Sequence, residues 1–303
     1  FVSFCDYLYE QLRGVPPSCS LSIASGTGLL DLNEQRWDAE LLEVLSLDES
    51  RLPRISGEPQ DNWYPAVIDG ACSNLGAGCT GSARAALMVG TSGALRILYD
   101  TERPQPRPGL FLYRLDEQRV VEGGALSDGG NLHAWLNKTL PASEEGFADR
   151  DPDDHGLTFL PFLGGERSIG WDPDASGVIS GLTFDTTARD IHQAGLEGVA
   201  FRFAAIADLL PGLEEVVATG GGLLSDPAWI QIMADALARP VTASKIEEAS
   251  LRGAAVATLE RLGHEPAEAP VGEVFHPREE RADAYRSARE RQQRLYEEIH
   301  GQN

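Results

Sequence analysis

The sequence predicts an α/β protein of about two domains. Apolar β-type runs and stretches of helical spacing alternate along much of the chain, and two of the β-type runs end in short glycine turns. The chain has 303 residues, of which 42% are hydrophobic. This length is sufficient to bury a substantial core and suggests about two domains.

The first part of the chain is predicted to contain two helices, at 3–13 and 38–47, and a Pro- and Gly-rich loop at 52–62. The short apolar run 65–69 predicts a strand, and the small residues after it predict a helix. Asp69 ends that strand, a position at which open α/β sheets often carry functional groups. The alternative role for Asp69 is a helix N-cap.

The remainder of the chain is predicted to begin with strands and to continue with alternating helices and strands. The runs 85–91 and 94–99 indicate a hairpin of two half-buried strands. The segments 102–108 and 142–155 are charged and rich in Pro or Asp, which is typical of surface loops. Further strands are predicted at 109–114, 118–122, 215–219 and 240–243, and helices from about Gly130 and at 187–209, 226–237, 249–263 and 278–299.

Both glycine turns bring bare backbone N–H groups to the end of a strand. The turn Gly90-Thr91-Ser92-Gly93 joins the two strands of the hairpin, and Gly220-Gly221-Gly222 precedes the helix at 226–237. Backbone without side chains can approach a phosphate closely, and a helix N-terminus favours an anion. For either turn alone, the alternative is that a tight turn simply requires glycine. The two turns together with Asp69 favour a phosphate site.

The charge of the chain excludes several classes of protein. A formal net charge of −22 argues against nucleic acid and anionic membranes as partners, because both are polyanions. Neither of the two lysines, Lys138 and Lys245, follows a glycine, which excludes a P-loop. A dinucleotide fingerprint on the second glycine turn would need a third glycine where Ser225 stands, so an oxidoreductase is disfavoured.

Cysteine and histidine usage predicts no structural metal. The four cysteines form no Cys-x-x-Cys pair, which suits a reducing cytoplasm, and the six histidines lack metal-ligand spacing. No apolar run approaches the roughly 18 residues that a membrane helix needs, and no signal peptide is visible.

The sequence resembles the FGGY carbohydrate kinases, which have the actin, Hsp70 and hexokinase (ribonuclease H-like) fold. The resemblance lies in the segments 69–78, 89–96, 123–131, 161–167, 218–225 and 248–255. The family's long signature is matched at Gly177, Ile179, Gly181, Leu182, Asp190, Ile191, Ala194, Leu196 and Glu197, and departs from it at Gly195.

The resemblance implies a two-domain organisation in which the second domain is complete. Residues 1–83 are expected to be the later part of the sugar-binding N-terminal domain, and residues 84–303 the nucleotide-binding C-terminal domain. The first phosphate hairpin of the family is absent from the start of the chain. We therefore expect a fragment that is inactive by itself.

The resemblance also implies phosphorylation of a sugar or sugar acid by ATP with Mg²⁺. Asp69 is expected to accept the proton of the attacking hydroxyl, and the N–H groups of Thr91, Ser92 and Gly93 to bind phosphate oxygens. Gly130, and Gly221 with Ser225, are expected to line the nucleotide site. Arg96, Glu166 and Arg167 also match the family. We expect a structural ion pair of Arg96 or Arg167 with a carboxylate rather than a role in the site, which is the alternative.

The amino-acid sequence at residues 90–96 and 123–131 is most similar to that of gluconate kinases. Xylulose kinases and other ketose or polyol kinases are the alternative. An inactive nucleotide-binding sensor of the same fold is a second alternative, which the presence of Asp69 disfavours. A homodimer is implied by the resemblance, and the sparse cysteines predict a cytoplasmic location.

Overall fold

The computed structural model describes residues 2–14, 18–59, 62–140 and 150–301. Residues 142–149 of the predicted loop 142–155 lie outside these ranges. The helices are α1 Phe4–Arg13, α2 Leu21–Ser25, α3 Ala39–Val44, α4 Asp69–Gly76, α5 Gly130–Thr139, α6 Ala188–Asp208, α7 Gly221–Leu224, α8 Pro227–Leu237, α9 Ala249–Arg261 and α10 Ala282–His300. The strands are β1 Leu30–Asp31, β2 Arg36–Trp37, β3 Gly81–Val89, β4 Gly93–Asp100, β5 Phe111–Arg114, β6 Arg119–Leu126, β7 Thr158–Leu160, β8 Val178–Ser180, β9 Glu215–Thr219, β10 Val241–Ser244 and β11 Val271–Phe275.

A mixed sheet of seven strands forms the centre of the structure, in the order β11-β10-β9-β3-β4-β6-β5. Strand β3 lies in the middle, parallel to β9 and antiparallel to β4. The strands β4, β6 and β5 continue the sheet as antiparallel neighbours on one side. Consequently the turns after β3 and β9 come to the same edge of the sheet, because parallel strands end at the same edge. The predicted boundary between residues 83 and 84 falls inside β3.

Helices cover both faces of this sheet. Leu87 and Leu95 pack with α6 and α8 in the large core, whereas Leu98 packs on the opposite face against residues of α4 and α9. All residues from Gly93 to Leu98 in β4 are buried. The prediction that the hairpin strands are half-buried was therefore wrong, since a sheet with helices on both faces buries both sides of its central strands.

The strand predicted at 65–69 was also wrong. Residues 65–68 belong to no strand of the described structure, although Ile68 has an extended backbone. This segment is held by two serine side chains instead, since the Ser20 hydroxyl donates to the carbonyl of Ala66 and the Ile68 N–H donates to Ser22 Oγ at 3.1 Å. Helix α4 begins at Asp69 with Ile68 as its N-cap, so the N-cap role considered for Asp69 is excluded.

The other predicted helices and strands are confirmed to within a few residues at their ends. The prediction missed three strands of the later chain. Strands β7 and β8 pair with each other in a separate sheet, and β11 is the antiparallel edge beside β10. Among the helices of the described ranges, none combines the length and apolar composition needed to span a bilayer.

Helix α4 packs on α9 with their backbones in contact. A Cβ atom at Gly76 would overlap the carbonyl oxygen of Ala249, and a Cβ atom at Gly253 would overlap that of Cys72. The two helices can approach this closely only because each has a glycine at the crossing. This contact fixes α4, and with it Asp69, relative to the sheet.

We predict that Gly253→Ala lowers the free energy of unfolding by about 3 kcal/mol, because the new methyl group would collide with backbone. Alanine otherwise stabilises a helix relative to glycine by up to about 1 kcal/mol, so the collision must exceed that gain. Urea denaturation followed by circular dichroism measures the change. The control is Ala255→Gly on the exposed side of α9, with an expected loss of about 1 kcal/mol. A Gly253→Ala protein as stable as the wild type would contradict the close contact.

Candidate active site

A cavity of about 500 Å³ lies between the start of α4 and the turn that joins β3 to β4. Asp69 and Gly70 from α4 line it, together with Ser92 and Gly93 from the turn. Arg96, farther along β4, lines the same cavity. The cavity therefore brings together a carboxylate, a glycine turn and a guanidinium group.

Asp69 presents an exposed side chain at this cavity. Within the described residues, no hydrogen bond or ion pair holds its carboxylate. Burial raises the pKa of the Cys72 thiol to about 11 and that of the Tyr113 hydroxyl to about 12, and the charge of Asp69 contributes to both increases. The carboxylate thus lies near both groups and is available to accept a hydrogen bond from a molecule in the cavity.

The hairpin turn combines a possible binding role with a packing role. The Gly90 N–H donates to the carbonyl of Ser92 at 2.9 Å, which closes the turn. A Cβ atom at Gly93 would lie 2.5 Å from Cζ of Phe203 in α6. Packing against α6 therefore requires a glycine at position 93, whether or not a ligand also does.

Four glycines from three chain segments meet beside this turn, and we call Gly90, Gly130, Gly220 and Gly222 the glycine cluster. The Gly130 N–H donates to the Gly90 carbonyl at 2.9 Å, and a Cβ atom at Gly130 would overlap that oxygen. A Cβ atom at Gly222 would lie 3.1 Å from the same oxygen and 3.5 Å from Cα of Gly130. Gly220 has a φ of 87°, which favours glycine. The three segments therefore touch through backbone alone.

The other predicted residues lie next to the cluster. The carbonyl of Thr91 accepts a hydrogen bond from the Asn131 N–H at 3.0 Å. No heavy atom lies within 4 Å of the position of a Cβ atom at Gly221, so its surroundings are open. The Ser225 hydroxyl donates to the Gly222 carbonyl at 3.1 Å.

The second glycine turn was expected to lead into the helix at 226–237, but the short helix α7 intervenes. Ser225 ends α7, and the carboxylate of Asp226 caps α8 by accepting from the N–H groups of Ala228 and Trp229. The N-terminus of α8 is thus satisfied by its own cap. It is separated from the glycines by one turn of α7.

The ion pairs expected for Arg96 and Arg167 are not observed. Within the described ranges, no carboxylate oxygen lies within 4.0 Å of either guanidinium, and the neighbouring Glu166 pairs instead with Arg202 at 2.5 Å. Arg96 is only 7% exposed, and its Nε atom has no hydrogen-bond partner in the part of the chain that the structure describes. Arg167 lies exposed at the rim of the cavity. The expectation of structural pairing was therefore wrong, because both side chains point to the cavity.

Sequence reasoning missed several residues of the cavity wall, among them Tyr113, Trp171 and Ser250. Tyr113 lies two residues after Phe111 in β5, on the same face of the strand, and the two rings stack with centroids 5.6 Å apart. Because side chains alternate between the two faces of β5, the shared face of Phe111 and Tyr113 could have identified Tyr113 as a candidate cavity residue. Trp171 and Ser250 come from a loop and from α9, and nothing in their local sequence indicates where they lie.

One cluster of possible metal ligands occurs among the described residues, and it lies outside the cavity. Ligand atoms of Asp153, His155 and Glu197 are within 4.8 Å of one another. His155 Nδ1 accepts from the Leu157 N–H, so Nε2 carries the hydrogen that faces Glu197 at 3.1 Å, and Asp153 pairs with Arg291 of α10. These bonds already occupy the ligand atoms, and they join the segment before β7 to α6 and α10.

The chain is similar in sequence and structure to known carbohydrate kinases. Residues 85–259 match the profile of the FGGY family of carbohydrate kinases, C-terminal domain. A gluconokinase from Bacillus licheniformis is 30% identical over 94% of this chain and 64% of its own length, and a xylulose kinase from Staphylococcus xylosus is 28% identical over 83% and 58%. The chain therefore spans about three fifths of the length of these curated relatives.

Among solved structures, the crystal structure of a gluconate kinase from Lactobacillus acidophilus superposes with a TM-score of 0.87 at 26% sequence identity. The superposition covers 98% of this chain and 67% of that one. The element order and the mixed sheet described above are thus those of a sugar kinase structure.

We predict that only Cys5 reacts rapidly with a thiol reagent in the native protein. Cys5 is exposed, whereas Cys19, Cys72 and Cys79 are buried. Burial raises the pKa of the last three thiols to about 12, 11 and 12, so the reactive thiolate is scarce at about pH 8. Reaction with dithiobisnitrobenzoate should release about one equivalent of chromophore, and none in Cys5→Ser. Fast reaction of Cys72 would show that α4 is not packed as described.

Proposed function

Because the chain belongs to the FGGY family of carbohydrate kinases, we propose that its function is ATP-dependent phosphorylation of a hydroxyl group on a sugar or sugar acid. The fold predicted by the resemblance, the actin, Hsp70 and hexokinase type, is confirmed by the likeness to solved kinases of the family. The observation that supports the function most is the meeting of an unpaired carboxylate and a glycine turn in one cavity. We propose that residues 84–303 hold the nucleotide and that residues 1–83 contribute to the sugar side.

In this proposal Asp69 is the general base. Its carboxylate accepts the proton of the sugar hydroxyl as that oxygen attacks the γ-phosphorus, while the bond from phosphorus to the leaving oxygen of ADP breaks. The absence of any bond to its side chain within the described residues, and its exposure to the cavity, support this role. Asp69 is positioned by the start of α4, and the contact between α4 and α9 holds α4 in place.

The glycine cluster and the hairpin turn fit the phosphate groups of ATP. At Gly130 and Gly222 a side chain would collide with backbone, whereas the surroundings of Gly221 are open, so the site offers bare peptide groups. We propose that the N–H groups of the 90–93 turn bind phosphate oxygens, and that Gly130, the 220–222 turn and Ser225 line the nucleotide site. Mg²⁺ would enter with ATP as part of the substrate and offset phosphate charge.

We propose gluconate as the acceptor, because gluconate kinases are among the relatives in both sequence and structure. Xylulose is the alternative, since xylulose kinases are relatives of comparable similarity. A nucleotide-binding sensor without activity is disfavoured by the free carboxylate of Asp69. A homodimer stays a prediction of the family resemblance, and a cytoplasmic location stays a prediction of the cysteine usage.

We predict that Asp69→Asn abolishes ADP release in the natural polypeptide that contains this sequence. Loss of a general base should lower kcat by about 10²–10⁴-fold while the KM for MgATP changes little. A coupled assay with MgATP and a panel of gluconate, xylulose, ribulose and glycerol measures this.

The matched control is Asp100→Asn, the same change at an exposed position at the end of β4. Full activity of Asp69→Asn would exclude Asp69 as the base. ATP binding without turnover of any acceptor by the wild type would favour the sensor.

We predict that Gly222→Ala weakens ADP binding by about tenfold or more, because a methyl group would press on the Gly90 and Val89 carbonyls and displace the turn. Isothermal titration calorimetry on residues 1–303 measures it, and this test does not require turnover. Gly57→Ala is the matched control, since a Cβ atom there would meet only a flexible side-chain oxygen of Glu117. Unchanged ADP binding by a folded Gly222→Ala protein would exclude the glycine cluster from the nucleotide site.

A further inference from the structure

Arg96 is a buried cation whose anion is missing from the described structure. The residue is 7% exposed, and among the residues that the structure describes no carboxylate oxygen lies within 4.0 Å of the guanidinium and Nε makes no hydrogen bond. Its side-chain partner is the neutral Tyr113 hydroxyl, and a buried guanidinium without an anion is unfavourable, so proteins pair such groups. The other two buried arginines, Arg202 and Arg114, each have partners for most of the guanidinium group, although Arg202 Nε and Arg114 Nη2 also make no hydrogen bond among the described residues. Arg202 pairs with Glu166, and Arg114 donates to the carbonyls of Leu32 and Glu117.

Two glycines lie against the Arg96 side chain. Arg96 lies opposite Gly123 of β6 in the register of the sheet, and a Cβ atom at Gly123 would lie 2.9 Å from Cγ of Arg96. At the other end of the side chain, a Cβ atom at Gly70 would lie 2.9 Å from Nη1 of Arg96 and would also overlap the Tyr113 hydroxyl. Gly70 therefore leaves room for the head of Arg96 at the cavity next to Asp69, whereas a side chain at Gly123 would first overlap the Leu95 carbonyl oxygen of the neighbouring strand.

The Tyr113 hydroxyl is a second donor at the same place. Burial raises the pKa of Tyr113 to about 12, although the charge of Arg96 opposes this increase and that of Asp69 contributes to it. The hydroxyl therefore stays protonated at physiological pH and can donate to an anion. Arg167, exposed at the rim of the same cavity, adds positive charge.

The position of the pair indicates which anion it binds. Arg96 and Tyr113 lie beside Gly70, the residue next to the proposed base, and in the same cavity wall as Asp69. Ser92 and Gly93 of the turn proposed to bind phosphate oxygens also line this cavity, so a phosphate and the acceptor molecule meet in it. The heads of Arg96 and Tyr113 lie beside Gly70, the neighbour of Asp69, which favours an anion on the molecule whose hydroxyl reaches Asp69. Planar guanidinium and a carboxylate match each other in geometry.

We propose that Arg96 and Tyr113 form a carboxylate site that selects an aldonic acid, a polyhydroxy chain ending in a carboxylate, over neutral sugars and polyols. This inference rests on the proposed kinase function. Arg96 and Tyr113 would hold the carboxylate end, and Asp69 would face a hydroxyl of the same molecule.

The test compares gluconate with its neutral counterpart of equal length, glucitol, in the natural polypeptide. For the wild type and for Arg96→Gln, Arg96→Lys and Tyr113→Phe, kcat/KM is measured with each acceptor at saturating MgATP. We expect the gluconate to glucitol ratio to fall by about 10²-fold or more in Arg96→Gln, mainly through KM, and by about tenfold in Tyr113→Phe. Arg96→Lys should recover part of the ratio, because it keeps the charge but not the planar fork.

Arg114→Gln is the matched control, because Arg114 is also a buried arginine of this sheet but contacts only backbone carbonyls of described residues away from the cavity. It should lower the thermal midpoint without changing the ratio. An equal loss for both acceptors in Arg96→Gln would overturn the carboxylate site in favour of a structural role. A higher KM for MgATP with every acceptor would instead assign Arg96 to a nucleotide phosphate.

Calorimetry with gluconate in the absence of nucleotide separates failure of the inference from failure of the proposed function. Binding that depends on Arg96, without turnover of any acceptor, would contradict the kinase function and leave the carboxylate site. Turnover of glucitol or xylulose, without gluconate binding, would contradict the carboxylate site and leave the kinase function.

Discussion

Contact of backbone with backbone at the glycine cluster is the constraint on which the rest of the structure depends. The end of β3, the start of α5 and the turn after β9 touch at Gly90, Gly130 and Gly222, where no side chain separates them. This contact joins the middle of the sheet to a helix and to a turn that is remote in sequence. It also sets the position of the hairpin turn, and therefore one wall of the cavity. A second contact of the same kind, between α4 and α9, sets the opposite wall.

The electrostatics of the site differ from those of the chain as a whole. The chain carries a formal net charge of −22, yet the cavity holds the guanidinium of Arg96 with no described carboxylate within 4.0 Å, and Arg167 lies at the rim. An acidic surface repels anions in general, so a bound anion must be held by local groups. Peptide N–H groups and a few arginines can do this at short range, where burial strengthens each interaction.

Much of the fold could be predicted because long apolar runs and helical spacing report local structure, as in β3, β4 and α6. The strands β7, β8 and β11 contain three to five residues each, and pairing with remote partners rather than their own sequence defines them. Asp69 and the glycine turns could be identified because their chemistry is carried by short motifs. The lack of a carboxylate partner for Arg96 among the described residues could not be predicted from the sequence. It depends on which residues of β5, α4 and a distant loop surround the guanidinium group.

The order of strands in the central sheet has a consequence for how the chain folds. Strands β3, β4, β5 and β6 are close in sequence and antiparallel, so they can pair soon after synthesis, whereas β9 pairs with β3 across more than a hundred residues. Until β9 arrives, β3 is an edge strand with unpaired peptide groups, and its side chains from Ala85 to Val89 are apolar. The nascent chain is then most exposed to pairing with another chain, and assistance by a chaperone would be of greatest use during that interval.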